Sequence, residues 1–349
     1  MPSFKMTDLI SITTDIFIAA GVFEDRASLV AELLVEANLC GHDSHGVIRV
    51  PQYLNSIKTG DINPSAEVEI KRNGNCTALI DGHWNFGQVI MNQAVEMAIE
   101  KAETHGLAGI AVNQANHIGR LGSYVETIAR HGMIGILYVN AVGAPAFRMA
   151  PWGGTEPRLA TDPLAKGIPT SNGDPIVIDM TTTVVAEGKV RLKRNRKEQT
   201  PVGWLLDAEG NSTTDPNSLY ANPSGSIQPL GGIAAGYKGY GLNIAIELLA
   251  GALSGTGCVG KKGQRLSNGV MLLAISIAEF CDLQEFFEES DRFIAFVKSS
   301  KPSRKDSKIQ LPGEVELLIK NKRMKNGIVI DEETWAQICN ASSDFGLII

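Results

Sequence analysis

The sequence predicts an α/β protein with a helical N-terminal region, and three observations carry that expectation. Two segments of helical apolar spacing open the chain with no strand between them, and from residue 88 onward helical and strand-like segments alternate. At 349 residues the chain exceeds the size at which a single hydrophobic core usually stops growing, so more than one domain is expected.

The elements follow in order. Thr7 reads as the cap of a first helix reaching Phe17, and Asp25 as the cap of a second, with Leu29, Val30, Leu33, Leu34 and Ala37 on one side. Apolar groups over 68–81, bounded by Asn73-Gly74 and Asp81-Gly82, read as a hairpin. A helix over 88–105 is closed by Gly106, and a buried strand over 107–112 follows. A helix over 121–131 and a strand over 134–140 come next. Between Pro145 and Pro175 prolines and glycines are too frequent for regular helix, so this stretch reads as long loops around short strands, of the kind that line pockets. The rest reads as a helix over 243–253, a strand over 269–277, a helix from Asp282 to Val297, a polar linker over 299–307, a helix over 314–322 and a last helix capped by Asp331.

Composition narrows the function. A hydrophobic content of 44% and a charged content of 20% are those of an ordinary globular protein, and a net charge of -6 offers nothing to nucleic acid or an anionic membrane. The five cysteines form no C-x-x-C pair, which argues against a disulfide framework or a thiolate zinc site and fits a reducing cytoplasm. No segment has membrane-spanning length. The expected partners are a small molecule and a second copy of the chain.

Gly255-Thr256-Gly257-Cys258-Val259-Gly260 satisfies the dinucleotide-binding glycine pattern literally. It follows a helix instead of a strand, and Lys262 stands where a phosphate-binding loop needs Ser or Thr, so neither reading holds. The basic block Lys189 to Lys197 is either a solvated helix end or a patch facing an anion.

The densest chemistry lies over 41–53, where His42, Asp43, Ser44, His45, Arg49 and Tyr53 crowd between glycines and a proline. His-x-x-His with a nearby carboxylate is compatible with a metal site, although no glutamate stands between the histidines and no third ligand is evident. An organic-acid site is the second option: Arg49 offers a planar fork for a carboxylate, and a histidine exchanges a proton with the reacting oxygen. A third is that these residues only brace a helix end. His117, in Asn116-His117-Ile118-Gly119-Arg120 between a strand and a helix, is a candidate general acid/base.

Taken together, Asp43-Ser44-His45-Gly46-x-x-Arg49-x-Pro51-x-Tyr53, Asn116-His117-x-Gly119, Pro151-x-Gly153-Gly154-x-Glu156, Asp179-Met180-Thr181, Pro229-Leu230-Gly231-Gly232, Lys238-Gly239-Tyr240-Gly241-Leu242 and Leu311-Pro312-Gly313-Glu314 run over nearly the whole chain. This set resembles the type-2 malate/L-lactate dehydrogenase family. That family is unrelated to the Rossmann lactate dehydrogenases and includes ureidoglycolate and sulfolactate dehydrogenases and piperideine-2-carboxylate reductases. The resemblance implies a non-Rossmann NAD(P)-binding fold with a mixed central sheet, in homodimers whose clefts combine both subunits. It implies His117 as the proton donor or acceptor with Ser44 and His45 near it, and Arg49 with Tyr53 at the substrate. Asp179 either orients a histidine or contacts the cofactor. Met180, Thr181, Lys238, Thr161 and Asp162 fall at cofactor positions, with Pro312, Gly313 and Glu314 adding to them. Three departures stand out: Ala160-Thr161-Asp162-Pro163 where the family has Gly-Thr-Asn-Pro, Ala141 where one branch has serine, and the basic block after residue 188.

The expectation is therefore a cytoplasmic, dimeric NAD- or NADP-dependent oxidoreductase acting on a small 2-hydroxy/2-oxo acid or related imino acid. Residues 1–70 are expected to contact substrate and pack with 300–349, and 71–299 to form the nucleotide-binding region, divided near 120–250. The competing readings are a metal-dependent hydrolase using His42, Asp43 and His45, and a nucleotide-binding paralogue without activity.

Overall fold

Seven strands make the central sheet of the computed structural model, which describes residues 1–143, 146–304 and 307–349. They are β2 (Glu69–Asn73), β3 (Thr77–Asp81), β4 (Leu107–Ala115), β5 (Met133–Val142), β6 (Leu164–Ile168), β7 (Ile176–Met180) and β11 (Ser267–Ser276), in the order β2-β3-β4-β11-β5-β6-β7. The expected hairpin is present as the antiparallel pair of β2 and β3. Only β3 and β4 are parallel, because α4 (Gly87–His105) returns the chain across the sheet between them. The late strand β11 then inserts between β4 and β5, antiparallel to both. The sheet is thus mixed, and the strand order of a Rossmann domain does not arise.

Strand alternation sends side chains to two layers. Leu137 and Val139 of β5 and Ala165 of β6 join a core with α4 and α5 (Leu121–Arg130), whereas Tyr138 and Leu164 point the other way, toward Ile246 and Ala250. Those last two belong to α7 (Gly232–Ile246) and the π-helical segment Glu247–Ala252 that continues it. The helix therefore begins eleven residues before the expected start at 243, its glycines at 236, 239 and 241 having masked it.

A separate core joins the two ends of the chain. Here α1 (Met6–Ala19), α2 (Glu24–Leu39) and α3 (Val50–Lys58) pack with Ile328 and Ile338, from β12 (Ile328–Val329) and α10 (Glu332–Ser343), while β1 (Ser3–Phe4) pairs with β12. Thr7 and Asp25 are not the caps of α1 and α2. The capping positions are Lys5 and Phe23, each two residues earlier: Met6 packs on this core as the first residue of α1, and Asp25 places a carboxylate in the first turn of α2. A small third core joins α6 (Glu187–Asn195) to a sheet of β8 (Leu205–Leu206), β9 (Ser212–Thr213) and β10 (Ser226–Ile227). Helices α8 (Leu283–Lys298) and α10 are capped by Asp282 and Asp331 as expected, and α9 (Glu314–Asn326) crosses α2. Pro145 and part of the linker over 299–307 lie outside the described residues.

Candidate active site

Residues 43–49 fold as two successive 3-10 turns, Asp43–His45 and Val47–Arg49, that run into α3. Asn38 of α2 builds this corner: its Oδ1 accepts from the Val47 amide at 2.8 Å and its Nδ2 donates to Asp43 at 2.7 Å. A Cβ on Gly46 would stand 2.1 Å from Asn38 Oδ1, so only glycine lets the corner close. From α9, Arg323 grips both oxygens of Asp43, at 2.6 and 3.0 Å. His42 faces Glu316 at 3.6 Å, and His45 Nδ1 lies 3.0 Å from the Ser44 hydroxyl. His42, Asp43 and His45 thus turn to three different partners, and no group of three or more His, Cys, Asp or Glu side chains suited to a metal occurs among the described residues.

The corner brings Arg49 and two imidazoles together. Arg49 Nε donates to the Ser44 carbonyl at 2.8 Å and Nη1 to Gln52 at 2.7 Å, while Nη2 has no hydrogen-bond partner among the described residues. His117 arrives on the loop between β4 and α5, its ring stacked on that of His45 with centroids 5.4 Å apart. Asn116 pins the loop by donating to the carbonyls of Asp61 and Trp84. A Cβ on Gly87 would come within 2.6 Å of the His117 carbonyl oxygen, so a glycine is required where α4 starts beneath the loop. Burial, then the neighbouring Arg49 charge, pushes the His45 imidazole down to about 3 and holds that of His117 well below its ordinary value.

Tyr53 turns its hydroxyl to His117. Its side chain is 1% exposed and packs on Phe17 and Phe86, and its hydroxyl lies 2.8 Å from His117 Nδ1. Asp179, at the end of β7, binds no histidine: it accepts from the Gly122 amide at 2.8 Å in the first turn of α5, and burial raises its carboxyl. Asp162 lies in the interior. It is fully buried, accepts from the Ala141 amide at 3.0 Å and faces Glu247; burial and then the Glu247 charge hold its carboxyl well above the usual range. The loop into β6 carries position 162 beneath the π-helical segment, against Glu247.

The other motifs do converge. Leu230 donates to the Thr182 carbonyl at 2.8 Å, Gly239 to the Leu230 carbonyl at 3.1 Å, Thr182 to the Thr161 carbonyl at 3.0 Å, and Asn243 to the Thr182 hydroxyl at 2.9 Å. Met180 and Thr181 lead into this knot, and Lys238 stands exposed on α7 beside it. The Pro312 carbonyl accepts from Val177 at 3.2 Å, and Glu314 binds the Leu311 amide at 3.0 Å. Pro312, Gly313, Glu314, Arg120, Ile176 and Lys320 help to line a cavity of about 360 Å³. The basic block occupies α6, whose Gly188 lies against Ser44; Arg194 stacks 4.4 Å over Tyr220, and Lys193 pairs with Glu198 at 2.6 Å.

Three contributors escaped the sequence reading. Arg120 forms a buried ion pair with Glu36 at 2.9 Å, Arg323 braces Asp43, and Gln88 donates to the Tyr53 hydroxyl at 2.8 Å. For Gln88 a signal existed: it shares the helical stripe of Met91, Val95, Ala98 and Ala102, all of them buried.

An α/β enzyme with a mixed, non-Rossmann sheet and a histidine pair beside an open guanidinium is the class that fold and site define together. The chain belongs to the malate/L-lactate dehydrogenase family, whose profile matches residues 4–339, and it is an oxidoreductase. It is 38% identical over 329 residues to the malate/(S)-sulfolactate dehydrogenase of Methanothermus fervidus, covering 93% of this chain and 92% of that one. It resembles the crystal structure of malate dehydrogenase from Entamoeba histolytica (TM-score 0.92, 27% identity, 100% and 99% of the two chains). It also resembles the piperideine-2-carboxylate reductase of Pseudomonas syringae (TM-score 0.84, 26% identity, 98% and 100%). Membership in a dehydrogenase family overturns the metal-dependent hydrolase reading.

Proposed function

We propose that the chain is an NAD(P)-dependent oxidoreductase that moves a hydride between nicotinamide and a small 2-hydroxy or 2-oxo acid, or the related imino acid. The stacking of His117 on His45, in the corner that presents the open side of Arg49, carries this reading. His117 is held through Nδ1 by Tyr53, while Nε2 has no hydrogen-bond partner among the described residues. Malate, sulfolactate and piperideine-2-carboxylate, named for the relatives, all carry a carboxylate beside the reacting carbon, the group that the open side of Arg49 grips.

In reduction Arg49 holds that carboxylate in register, and the His117 imidazolium gives its Nε2 proton to the oxygen or nitrogen on which negative charge develops. In oxidation neutral His117, with its proton on Nδ1 and Nε2 bare, takes the proton back. Without a bound acid, burial and Arg49 keep His117 neutral. A carboxylate on Arg49 offsets that positive charge and favours the imidazolium, so binding the oxo acid charges the group that protonates it. Ser44 and His45 stand beside His117 as its polar neighbours.

A bound nicotinamide cofactor supplies or accepts the hydride. The residues fit such a group: Asp179, Met180, Thr181, Thr161 and Lys238 surround the knot at the end of β7, and the Pro312–Glu314 turn closes a cavity with cations for phosphate and carboxylates for ribose hydroxyls. Asp162 has no place in this set. The basic block on α6 is read as facing the adenosine end and permitting NADP. Ile233, Tyr237, Leu248 and Leu253 are 53% to 67% exposed on α7, its π-helical continuation and the residue that follows it, an apolar face that a second copy covers in a homodimer. Residues 1–70 with 300–349 form the substrate-contacting unit, and 71–299 the nucleotide-binding region, divided near 120–250. Among the described residues no helix is long and apolar enough to cross a membrane, and a cytoplasmic enzyme with no nucleic-acid or membrane partner fits.

Oxidation of NADH and NADPH in the presence of pyruvate, oxaloacetate, larger 2-oxo acids and cyclic imines tests the proposal. Turnover with at least one member is expected; nucleotide binding without any turnover would instead leave a non-catalytic paralogue.

A further inference from the structure

Gln88 is the second residue of α4 and 1% exposed, yet it is polar. Its Nε2 donates to the Tyr53 hydroxyl at 2.8 Å, while its Oε1 is buried without a partner. A buried amide with one end unused costs stability and calls for an explanation. Tyr53 supplies it. The phenol ring is fully buried and packs on the touching pair Phe17 and Phe86, so its oxygen stays fixed between Gln88 and His117. When His117 Nδ1 is bare, the hydroxyl donates to it and accepts from Gln88 Nε2. When Nδ1 carries a proton, as it does in the imidazolium and in the neutral form left once Nε2 has given its proton up, the hydroxyl must accept from it and send its own hydrogen elsewhere. The His117 carbonyl, at 3.4 Å, is a poor acceptor, and Gln88 Oε1, turned toward Tyr53, is a better one.

We propose that Gln88 is a positioning residue for the proton transfer, its amide turning so that Tyr53 stays bonded to His117 Nδ1 as donor or as acceptor while Nε2 remains free. This rests on His117 being the acid/base. The charged and titratable groups facing His117 are Arg49 and His45, from the turns before α3, and Tyr53 of α3.

The test uses Gln88→Glu and Gln88→Met in the full chain, both close to glutamine in size. In Gln88→Glu the side chain, at a pH above that at which its buried carboxyl ionises, only accepts, so Tyr53 turns its hydrogen to it and becomes an acceptor toward His117. Long-range 1H–15N spectra of ring-labelled histidine, without nucleotide, should then show neutral His117 protonated on Nδ1, against Nε2 in the parent chain. The pH at which His117 titrates in the kcat/KM profile should rise. Gln88→Met should lower kcat about 10- to 100-fold with KM little changed, the scale of loss seen when the partner that orients a metal-bound imidazole is removed. Parent-like tautomer and pH profile in both variants would overturn the proposal. Full activity in a His117→Ala variant would refute the underlying acid/base assignment instead, and the spectra separate the two failures.

Discussion

The imidazoles of His45 and His117 stack with centroids 5.4 Å apart and planes inclined by 26°, and Arg49 acts on both. Two stacked rings beside a guanidinium cannot readily take up further positive charge. An unfolded imidazole binds its proton near pH 6.5, about the ordinary value, whereas folded His45 does so only near 3. Between those limits the unfolded chain binds more protons, so the stability held above about pH 6.5 is lost as the pH falls toward 3. Thermal melts should show Tm declining from about pH 6.5 downward, and His45→Gln should flatten the decline. An unchanged slope in that variant would argue against the depressed imidazole.

Arg49 donates on one side to Ser44 and Gln52 and is open on the other. Arg49→Lys keeps a positive charge but loses the fork. KM for the acid should rise about tenfold or more, the cost of one charge-assisted hydrogen bond. KM for the nucleotide should not move. Steady-state kinetics in both substrates would check this, and an unchanged acid KM would remove Arg49 from carboxylate binding.

Asp162 Oδ2 and Glu247 Oε1 are both buried without a donor, which a proton on the Asp162 carboxyl resolves. Because its folded titration lies above the unfolded value, the contribution is complete at low pH and is lost as the pH rises through the folded value. Asp162→Asn installs a permanent donor. It should raise stability by about 1 to 3 kcal/mol on the alkaline side and less in acid, with cofactor preference unchanged. Differential scanning calorimetry at two pH values would show it.

Neutralising Arg194 and Arg196 together should lower kcat/KM for NADPH more than for NADH if α6 faces the adenosine phosphate. Equal values for the two nucleotides, unchanged in the double variant, would mean that the block is a solvated helix surface, consistent with the pairing of Lys193 to Glu198.

Local chemistry was legible in the chain. Asp282 and Asp331 cap their helices and Gly106 ends α4, because a cap needs only its own turn. Insertion of β11 between β4 and β5 was not legible, since a strand more than a hundred residues downstream leaves no trace in the periodicity of its neighbours. The site divides in the same way. His117 and Arg49 were visible by type and spacing, but whether Tyr53 points at substrate or at His117 depends on Phe17, Phe86 and Gln88 around it. Asp43 seemed chemical and proved structural, because Arg323 lies 280 residues away in sequence. Asp162 falls at a cofactor position by motif alone, while the fold buries its side chain against Glu247 under the π-helical segment.

The central claim is that His117 exchanges the proton at the reacting atom. Steady-state oxidation of NAD(P)H by His117→Ala, with the best 2-oxo acid or imine from the panel, tests it most directly. The account predicts kcat reduced by about 10² to 10⁴ with nucleotide affinity retained; a kcat within a few-fold of the parent chain would contradict it.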